Sequence, residues 1–412
     1  MGGSFAVLVA ALAASPVAYD LSLRTEGRTG TGYVNTIGTP TMASFLEVDP
    51  SAVLSTKFDK LTIDGGYRPQ LLYSLNGDRA FALLHRADLG GKWTLSRKTR
   101  LSFTENVSFG QANFSPLLAI TGTTAPDPHL PPVLVLDYFN TSSSVGVTHS
   151  TLTGIELAGS ASFSLYGGYG QFLDPSTGDL RATQSLIPTA RTGALTGNAA
   201  FEVNREDAVT SRASANVSTF SSGARGLTLD TGAGWRHQFT KMTQGDVSAG
   251  VYFAQFTNTG VPTAAASDTS PTASKTATWG PSAGLGVSHQ LLSKRLHQLR
   301  GSARVSYGAA IDPYGFGVYH RVDSTLIADY SAMGWLSFSL RGTGARGFSS
   351  YSSALNNRLA QLDFTSTFTI DRHIGIGAGV RGAWLSPPPS PLYGEFQWAA
   401  FLGMTVRQDG KF

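Results

Sequence analysis

From Tyr19 onward, apolar and polar side chains of this chain alternate with a period of two along most of its length. In residues 61–73 one face is Leu61, Ile63, Gly65, Tyr67, Pro69, Leu71 and Tyr73, and the other is Thr62, Asp64, Gly66, Arg68 and Gln70, with Leu72 the single exception. Residues 83–95 and 360–370 repeat the pattern. Successive strand side chains point to opposite sides, so each segment predicts a strand with one apolar and one polar face. About eighteen such segments run from 19–27, 44–58 and 60–74 through to 394–408. Many are 12–15 residues or longer, well beyond the ~5–6 residues of an ordinary soluble strand. The length suits a tilted strand crossing a bilayer, which needs about 9–11 residues for its apolar part.

The connections carry a second signal. Short polar turns such as Ser96–Thr99, Asn204–Asp207 and Asp371–Arg372 alternate with longer Gly/Pro/Ser/Thr/Asn stretches near 28–43, 113–132, 168–179, 258–275, 348–353 and 387–393. Tight turns on one side and long loops on the other characterise a transmembrane barrel. The alternation alone does not say whether the apolar face meets a core or lipid. Three features choose lipid. The chain has neither helical patterns nor a second sheet to cover so much apolar face. The polar face is rich in Ser, Thr and Gly rather than Lys and Glu. A closed barrel also leaves no unpaired backbone edge, the condition for crossing hydrocarbon. The expected fold is therefore all-β, a transmembrane antiparallel up-and-down barrel of about eighteen strands (16–18). Aromatics near strand ends, among them Tyr73, Trp93, Trp235 and Trp335, are candidate interfacial girdles.

Composition agrees. With 412 residues, 14% charged and a mean hydropathy of −0.03, the chain shows no uncharged apolar run after residue 20 near the ~20 residues of a spanning helix. It has no Cys, so a thiolate metal site is excluded, and a net charge of +4 without a long Lys/Arg block disfavours nucleic acid. Residues 5–14 form an apolar run of signal-peptide length, with Ala11-Leu12-Ala13 as a small-x-small cleavage pattern and a second cut after Ala18. No Lys or Arg precedes Arg24; the competing reading is a buried first strand or short helix. The expected division is a signal over 1–18 and a barrel over 19–412.

The polar faces carry the candidate lumen residues. Ten cations are assigned inward: Arg24, Arg68, Arg86, Lys92, Arg236, Arg300, Arg304, Arg321, Arg341 and Arg381. Nine anions join them: Asp20, Glu26, Asp64, Asp88, Glu156, Asp230, Asp323, Asp329 and Asp363. Ten against nine argues against a steep ion selectivity from a wall of one sign. The charges either pair across neighbouring strands or present a mixed polar wall that hydrates a bulky solute. Glu105 falls on an apolar face, where alternation does not explain it.

Enzyme motifs are weak. Gly377-Ala378-Gly379-Val380-Arg381-Gly382 has the letters of a dinucleotide fingerprint but lies inside an alternating strand with no helix after it. His149-Ser150 and His320 with Asp323 are the nearest nucleophile or base candidates, and His85 beside Arg86 reads as packing or interface. No catalysis and no cofactor are expected. The competing classes are an outer-membrane enzyme with a rim His and a plugged barrel serving as a surface anchor.

Over residues 19–412 the chain resembles the bacterial outer-membrane β-barrel class. The terminal Phe412 is similar to the aromatic end that barrel-assembly machinery recognises there, although Gln408 and Gly410 break the frame that Leu402, Met404 and Val406 set. Gly66 to Tyr73, Leu84 to Leu89, Arg372 to Gly382 and the Pro-rich 387–391 stretch resemble the eighteen-stranded porins that pair with short polysaccharide-export lipoproteins. The resemblance implies contact with outer-membrane lipids and lipopolysaccharide, assembly by that machinery, a periplasmic export lipoprotein as partner, and passage of an exopolysaccharide. General small-solute diffusion is the alternative.

Overall fold

A computed structural model describes residues 17–34, 40–75, 81–112, 133–151, 154–172, 184–221, 223–258, 274–293, 297–311, 317–349, 356, 358–386 and 395–411. Nineteen strands form one antiparallel sheet. They are β1 (Val17–Val34), β2 (Pro40–Lys57), β3 (Leu61–Tyr67), β4 (Gln70–Ser74), β5 (Phe81–Thr94), β6 (Thr99–Ala112), β7 (Val133–Ser150), β8 (Ile155–Phe172), β9 (Gln184–Glu202), β10 (Asp207–Phe220), β11 (Arg225–Thr240), β12 (Thr243–Asn258), β13 (Ser274–Ser293), β14 (His297–Ile311), β15 (Val318–Ala332), β16 (Leu336–Phe348), β17 (Arg358–Thr369), β18 (Ile374–Ser386) and β19 (Phe396–Lys411).

Except for β3 and β4, each strand pairs with its neighbours in sequence, and β1 pairs with both β2 and β19, the latter from Ala18↔Lys411 to Gly30↔Ala399. The sheet is closed. β3 and β4 are two halves of one stave, because both pair with β2 and with β5 in a single register. The break falls at Arg68 and Pro69, opposite Pro50 of β2. Two prolines facing each other leave neither side a backbone N–H to donate, so the ladder skips a rung. Arg68 N still donates to Arg86 O at 2.8 Å and holds the stave in line. The barrel therefore has eighteen staves, one for each alternating sequence segment.

Loop lengths sort by end. At the end where the strands begin and finish, connections such as 95–98, 203–206, 241–242 and 370–373 span four residues or fewer. The opposite end carries 113–132, 173–183 and 259–273, with 221–224 a short exception. Met333 lies in one of the short turns at φ 56°, beside Gly334 at 74°. That left-handed pair twists the chain in the sense a tight hairpin needs.

The strands are longer than alternation suggested. The expected connection 28–43 shrinks to 35–39, because β1 continues to Val34 and β2 starts at Pro40. Likewise β8 runs to Phe172, through residues read as loop. Gly27-Arg28-Thr29-Gly30-Thr31 has no apolar contrast, yet its backbone stays in the ladder opposite Ala399, Ala400 and Phe401. Of the expected signal 1–18, Val17 and Ala18 belong to β1 and the rest lies outside the described residues. So do the 113–132 stretch, the 387–391 stretch and Phe412.

The outer face shows the lipid band directly. Across β9 to β13, Phe201, Val209, Trp235, Val247 and Leu285 sit side by side on one register row near the short turns. Ten residues further along the strands a second row is Arg191, Thr219, Arg225, Thr257 and Lys275. Every outward residue between the two rows is uncharged. Ten residues at ~3.3 Å each, tilted by about 40°, span ~25 Å, the height of an outer-membrane apolar band. Below the lower row, Asp207 accepts from Trp235 Nε1 at 2.9 Å and contacts His237 Nδ1 at 2.8 Å, the amphipathic contact expected at an interface. The closed barrel and this band make the chain an outer-membrane protein.

Glu105 has a structural account. It lies on the outer face, four residues above Leu101, which pairs with Trp93 near the short-turn end. Thr141 Oγ1 donates to it at 2.9 Å and Ser143 Oγ donates a second bond. The two hydroxyls partly replace water for a carboxylate at membrane depth, where an unshared charge is costly. Replacing the group as a unit, Glu105→Leu with Thr141→Val and Ser143→Ala, is expected to stabilise the barrel in lipid. Urea titration of refolding into vesicles measures it; a loss of stability would mean that this face does not meet hydrocarbon.

Candidate functional site

The inner wall faces away from the exposed apolar rows. Strand register places Arg86, Asp88 and Lys92 of β5, Arg236 of β11, Arg300 and Arg304 of β14, Arg321 and Asp323 of β15, Arg341 of β16, Asp363 of β17 and Arg381 of β18 on this wall. Arg68, in the break between β3 and β4, joins them through Asp88, its Nη1 3.6 Å from Oδ1. The ion pairs along the wall are mostly between neighbours. Asp363 receives Arg381 Nε at 2.6 Å across β17–β18, and Arg321 reaches Asp323 at 2.7 Å along β15. Near the short-turn end Arg407 contacts Asp20 at 2.6 Å. Facing charges do not always pair: Arg300 stands opposite Asp329, which instead accepts from Ser339 Oγ at 2.7 Å.

One stretch of wall is denser than the sequence suggested. Glu26 and Glu47 lie directly opposite each other on β1 and β2 and are each only 2% exposed. Two buried carboxylates side by side need cations. Arg24 and Arg28 both contact Glu26, and Arg28 Nη2 also reaches Glu47 at 2.8 Å. The network continues through Gln70 Nε2, 2.6 Å from Glu47, to Arg86, whose Nη2 donates to Gln70 Oε1 at 2.7 Å. It thus ties together four strands, β1, β2, β4 and β5. Arg28 and Glu47 were absent from the sequence reading, as was Arg212, which contacts Asp230 at 3.2 Å and bonds to Ser282.

The mouth at the long-loop end is shaped by a departure from the regular barrel. β13 stays paired with β12 up to Ser274, but its ladder with β14 ends at Ala283↔Tyr307 among the described residues. β14 and β15 remain paired with each other up to Ile311↔Val318. By register, Tyr307, Ile311, Val318 and His320 share the face that looks outward lower down. Yet Tyr252 and Phe256, on the inner face of β12, pack against Val318, Ile311 and Ala309 in one buried cluster. Tyr252 Oη lies 2.6 Å from His320 Nδ1, and Tyr307 stacks on the same imidazole at 6.0 Å between centroids. A Cβ placed on Gly226 of β11 would sit 2.3 Å from Ile311 Cδ1. In a regular wall β11 and β14 are three strands, ~14 Å, apart. The upper β14–β15 hairpin therefore folds into the barrel and lays its outer face on the inner face of β11 and β12. A larger residue at 226 would have to push the Ile311 side chain aside. Tyr319 and Arg321 occupy the opposite face of this hairpin, toward the lumen.

The candidate catalytic pairs do not assemble. His320 is engaged with Tyr252 and Tyr307, while Asp323 sits on the other face of β15 with Arg321. His149 bonds to Thr99 Oγ1 at 2.9 Å, and Ser150 points to the opposite side of the strand. His85 contacts Tyr67 Oη at 2.7 Å and stacks on Phe109, as a packing residue does. Gly377 to Gly382 lie within β18, where Gly379 gives space to the Phe401 ring, its added Cβ falling 2.4 Å from Cζ. Among the described residues no cluster of three or more His, Asp or Glu could hold a metal.

The infolded hairpin makes a direct prediction. The chain has no Cys, so a Gly226→Cys/Ile311→Cys pair is the sole thiol pair. It should oxidise to an intramolecular disulfide in the folded barrel, since such bonds need Cβ atoms about 3.5–4.5 Å apart. Loss of maleimide labelling in the double variant, but not in either single one, reports it. Two freely labelled thiols would place the hairpin in the wall instead.

The model of the EpsX exopolysaccharide export family matches residues 9–412. No curated protein matches significantly. Solved structures with similar coordinates include a copper transporter, OprC, at 10% identity and a TM-score of 0.48, covering 89% of this chain; this chain spans 63% of the transporter's length. They also include Pseudomonas aeruginosa OpdK with vanillate, at 12% identity and 0.42, covering 96% of this chain and 99% of OpdK. Acinetobacter baumannii OccAB3 stands at 11% and 0.43, covering 96% and 99%.

Proposed function

The chain belongs to the EpsX exopolysaccharide export family, and from that premise we propose that it is the outer-membrane conduit through which an exopolysaccharide leaves the cell. The observation that carries the reading is the wall itself: eighteen staves closed around a face of hydroxyls and charges of both signs, some of them paired. Eighteen strands enclose an aqueous path, whereas eight would fill with side chains. A wall in which Arg381 is held by Asp363, and Arg68 by Asp88, offers a sugar polymer many hydrogen bonds but no net field to arrest it. Conduction needs contacts that are weak and repeated. Arg68, Arg86, Asp88, Lys92, Arg236, Arg300, Arg304, Arg321, Asp323, Arg341, Asp363 and Arg381 are the proposed lumen-lining groups in this role. The conduit is passive and has no catalytic step; a periplasmic export lipoprotein is the proposed partner that delivers the chain. Residues 1–18 are proposed to direct secretion, and assembly machinery to insert the barrel.

A second reading has one observation in its favour. The infolded β14–β15 hairpin narrows the mouth, and a narrow mouth passes small solutes more readily than a polymer. Deleting the gene separates the two. Polymer export predicts loss of surface polysaccharide, with its accumulation in the periplasm and unchanged uptake of small solutes. Unchanged polysaccharide with reduced solute uptake would overturn it in favour of a diffusion porin. In planar bilayers the purified barrel is expected to conduct with less than about threefold preference between cation and anion, because its wall is charge-balanced; absence of any conductance would favour a plugged anchor.

A further inference from the structure

The outer wall carries a second patterned surface that transport through the lumen does not use. Arg191, Arg225 and Lys275 stand on alternate strands, β9, β11 and β13, with Thr219 and Thr257 between them on one register row. Alternate strands are ~10 Å apart, so the row is a comb of three cations along the outside of the barrel. All three side chains are exposed, and no ion pair joins any of them to an acid among the described residues. On the outer face of β9 to β13 the single described acid is Asp207, at the opposite end beside the short turns. The comb lies at the long-loop end, ten residues above the lower aromatic row, and hence at the headgroup level of the outer leaflet.

Directly beneath it the wall is hollowed. Gly197, Ala213, Ala215 and Thr231 floor a depression of about 760 Å³, walled by Leu195 and Trp279. Trp279 is 78% exposed and Leu195 62%, both standing out from the barrel. The floor lies four to six residues, ~13–20 Å, below the cations along the strands. An anion above and acyl chains below is the shape of a membrane lipid whose headgroup bears more than one phosphate. A single-phosphate headgroup would meet one tooth of the comb; three cations over ~20 Å match a wide, multiply phosphorylated one.

We propose that the β9–β13 outer face is a binding site for a phosphorylated, multiply acylated glycolipid of the lipid A class. Arg191, Arg225 and Lys275 take the phosphates, and the hollow floored by Gly197, Ala213 and Ala215 takes acyl chains. Native mass spectrometry of the purified full-length barrel, titrated with bisphosphorylated hexa-acyl lipid A, tests it. Parallel titrations use the same lipid with its phosphates removed, and phosphatidylglycerol. The parent is expected to retain bisphosphorylated lipid A at least tenfold better than either control. Arg191→Ala/Arg225→Ala/Lys275→Ala should lower that retention tenfold or more while heat-modifiable migration stays unchanged. A second variant addresses the hollow without touching charge. A Cβ on Gly197 meets nothing within 4 Å, so Gly197→Leu is expected to keep heat-modifiable migration and to weaken retention by filling the floor. Equal retention of the dephosphorylated lipid, equal retention of phosphatidylglycerol, or no loss in the triple-cation variant would each overturn the site and leave only a general lipid annulus.

Discussion

The structure depends on one constraint: hydrocarbon offers the backbone no hydrogen-bond partner, so every N–H and C=O at membrane depth must be paired within the protein. Closure of β1 onto β19 satisfies it for the sheet edges, and the remaining features adjust around that closure. The rung lost at Pro50 and Pro69 is bridged by Arg68 N on Arg86 O, so the irregularity stays local. Glu105 on the lipid face keeps Thr141 and Ser143 as donors. In both places a polar group that would be unremarkable in water is given a specific partner.

The same constraint made the fold legible from sequence. A strand in lipid must be long and must alternate, and both properties are read directly from residue order. Each alternating segment became one stave, including the one that Pro69 divides. The boundaries were less legible where alternation lost its contrast. Gly27 to Thr31 has no apolar residues to mark an outer face, so the ladder continues there unannounced. At 45–48, Phe45, Leu46 and Val48 make both faces apolar, because Phe45 packs inward against Leu359, Ala383 and Ala399. That inner cluster hides Glu47 among hydrophobic neighbours. Arg212 sits in a run of Ser and Ala, where the two faces differ too little to place a side chain by pattern.

The inner wall was legible residue by residue but not as a network. Period-two parity assigns Glu26 and Arg86 to the same side of their strands and cannot say that Gln70 links Glu47 to Arg86. Networks depend on stagger between strands, which is fixed by register and turn length and not by parity. The burial of Glu26 and Glu47 follows from this stagger. Two carboxylates at one rung are tolerable because Arg28 spans both, with Arg24 also on Glu26 and Gln70 on Glu47. Removing Arg28 would leave Glu47 with no cation beside a second buried carboxylate, a costly arrangement.

Parity itself fails at one place, and the failure is informative. Tyr307, Ile311, Val318 and His320 carry the apolar or aromatic character of a lipid-facing row. They do face apolar surroundings, but inside the barrel, against Tyr252 and Phe256. An apolar strand face needs an apolar partner, and lipid or another protein surface serves equally well. Once the ladder between β13 and β14 ends, only the β15–β16 ladder, which runs up to His320↔Phe348, ties the hairpin to the wall. Its apolar face then finds cover on the inner side of β12, where the Gly226 and Gly280 positions leave space for Ile311 and for the Tyr252 ring. The turn inward costs β13 a paired neighbour along its upper edge. Such an edge is tolerated where protein covers it or where it borders water. The inward hairpin and the open edge of β13 are thus two consequences of one local choice, made where glycine gives the apolar face a second place to go.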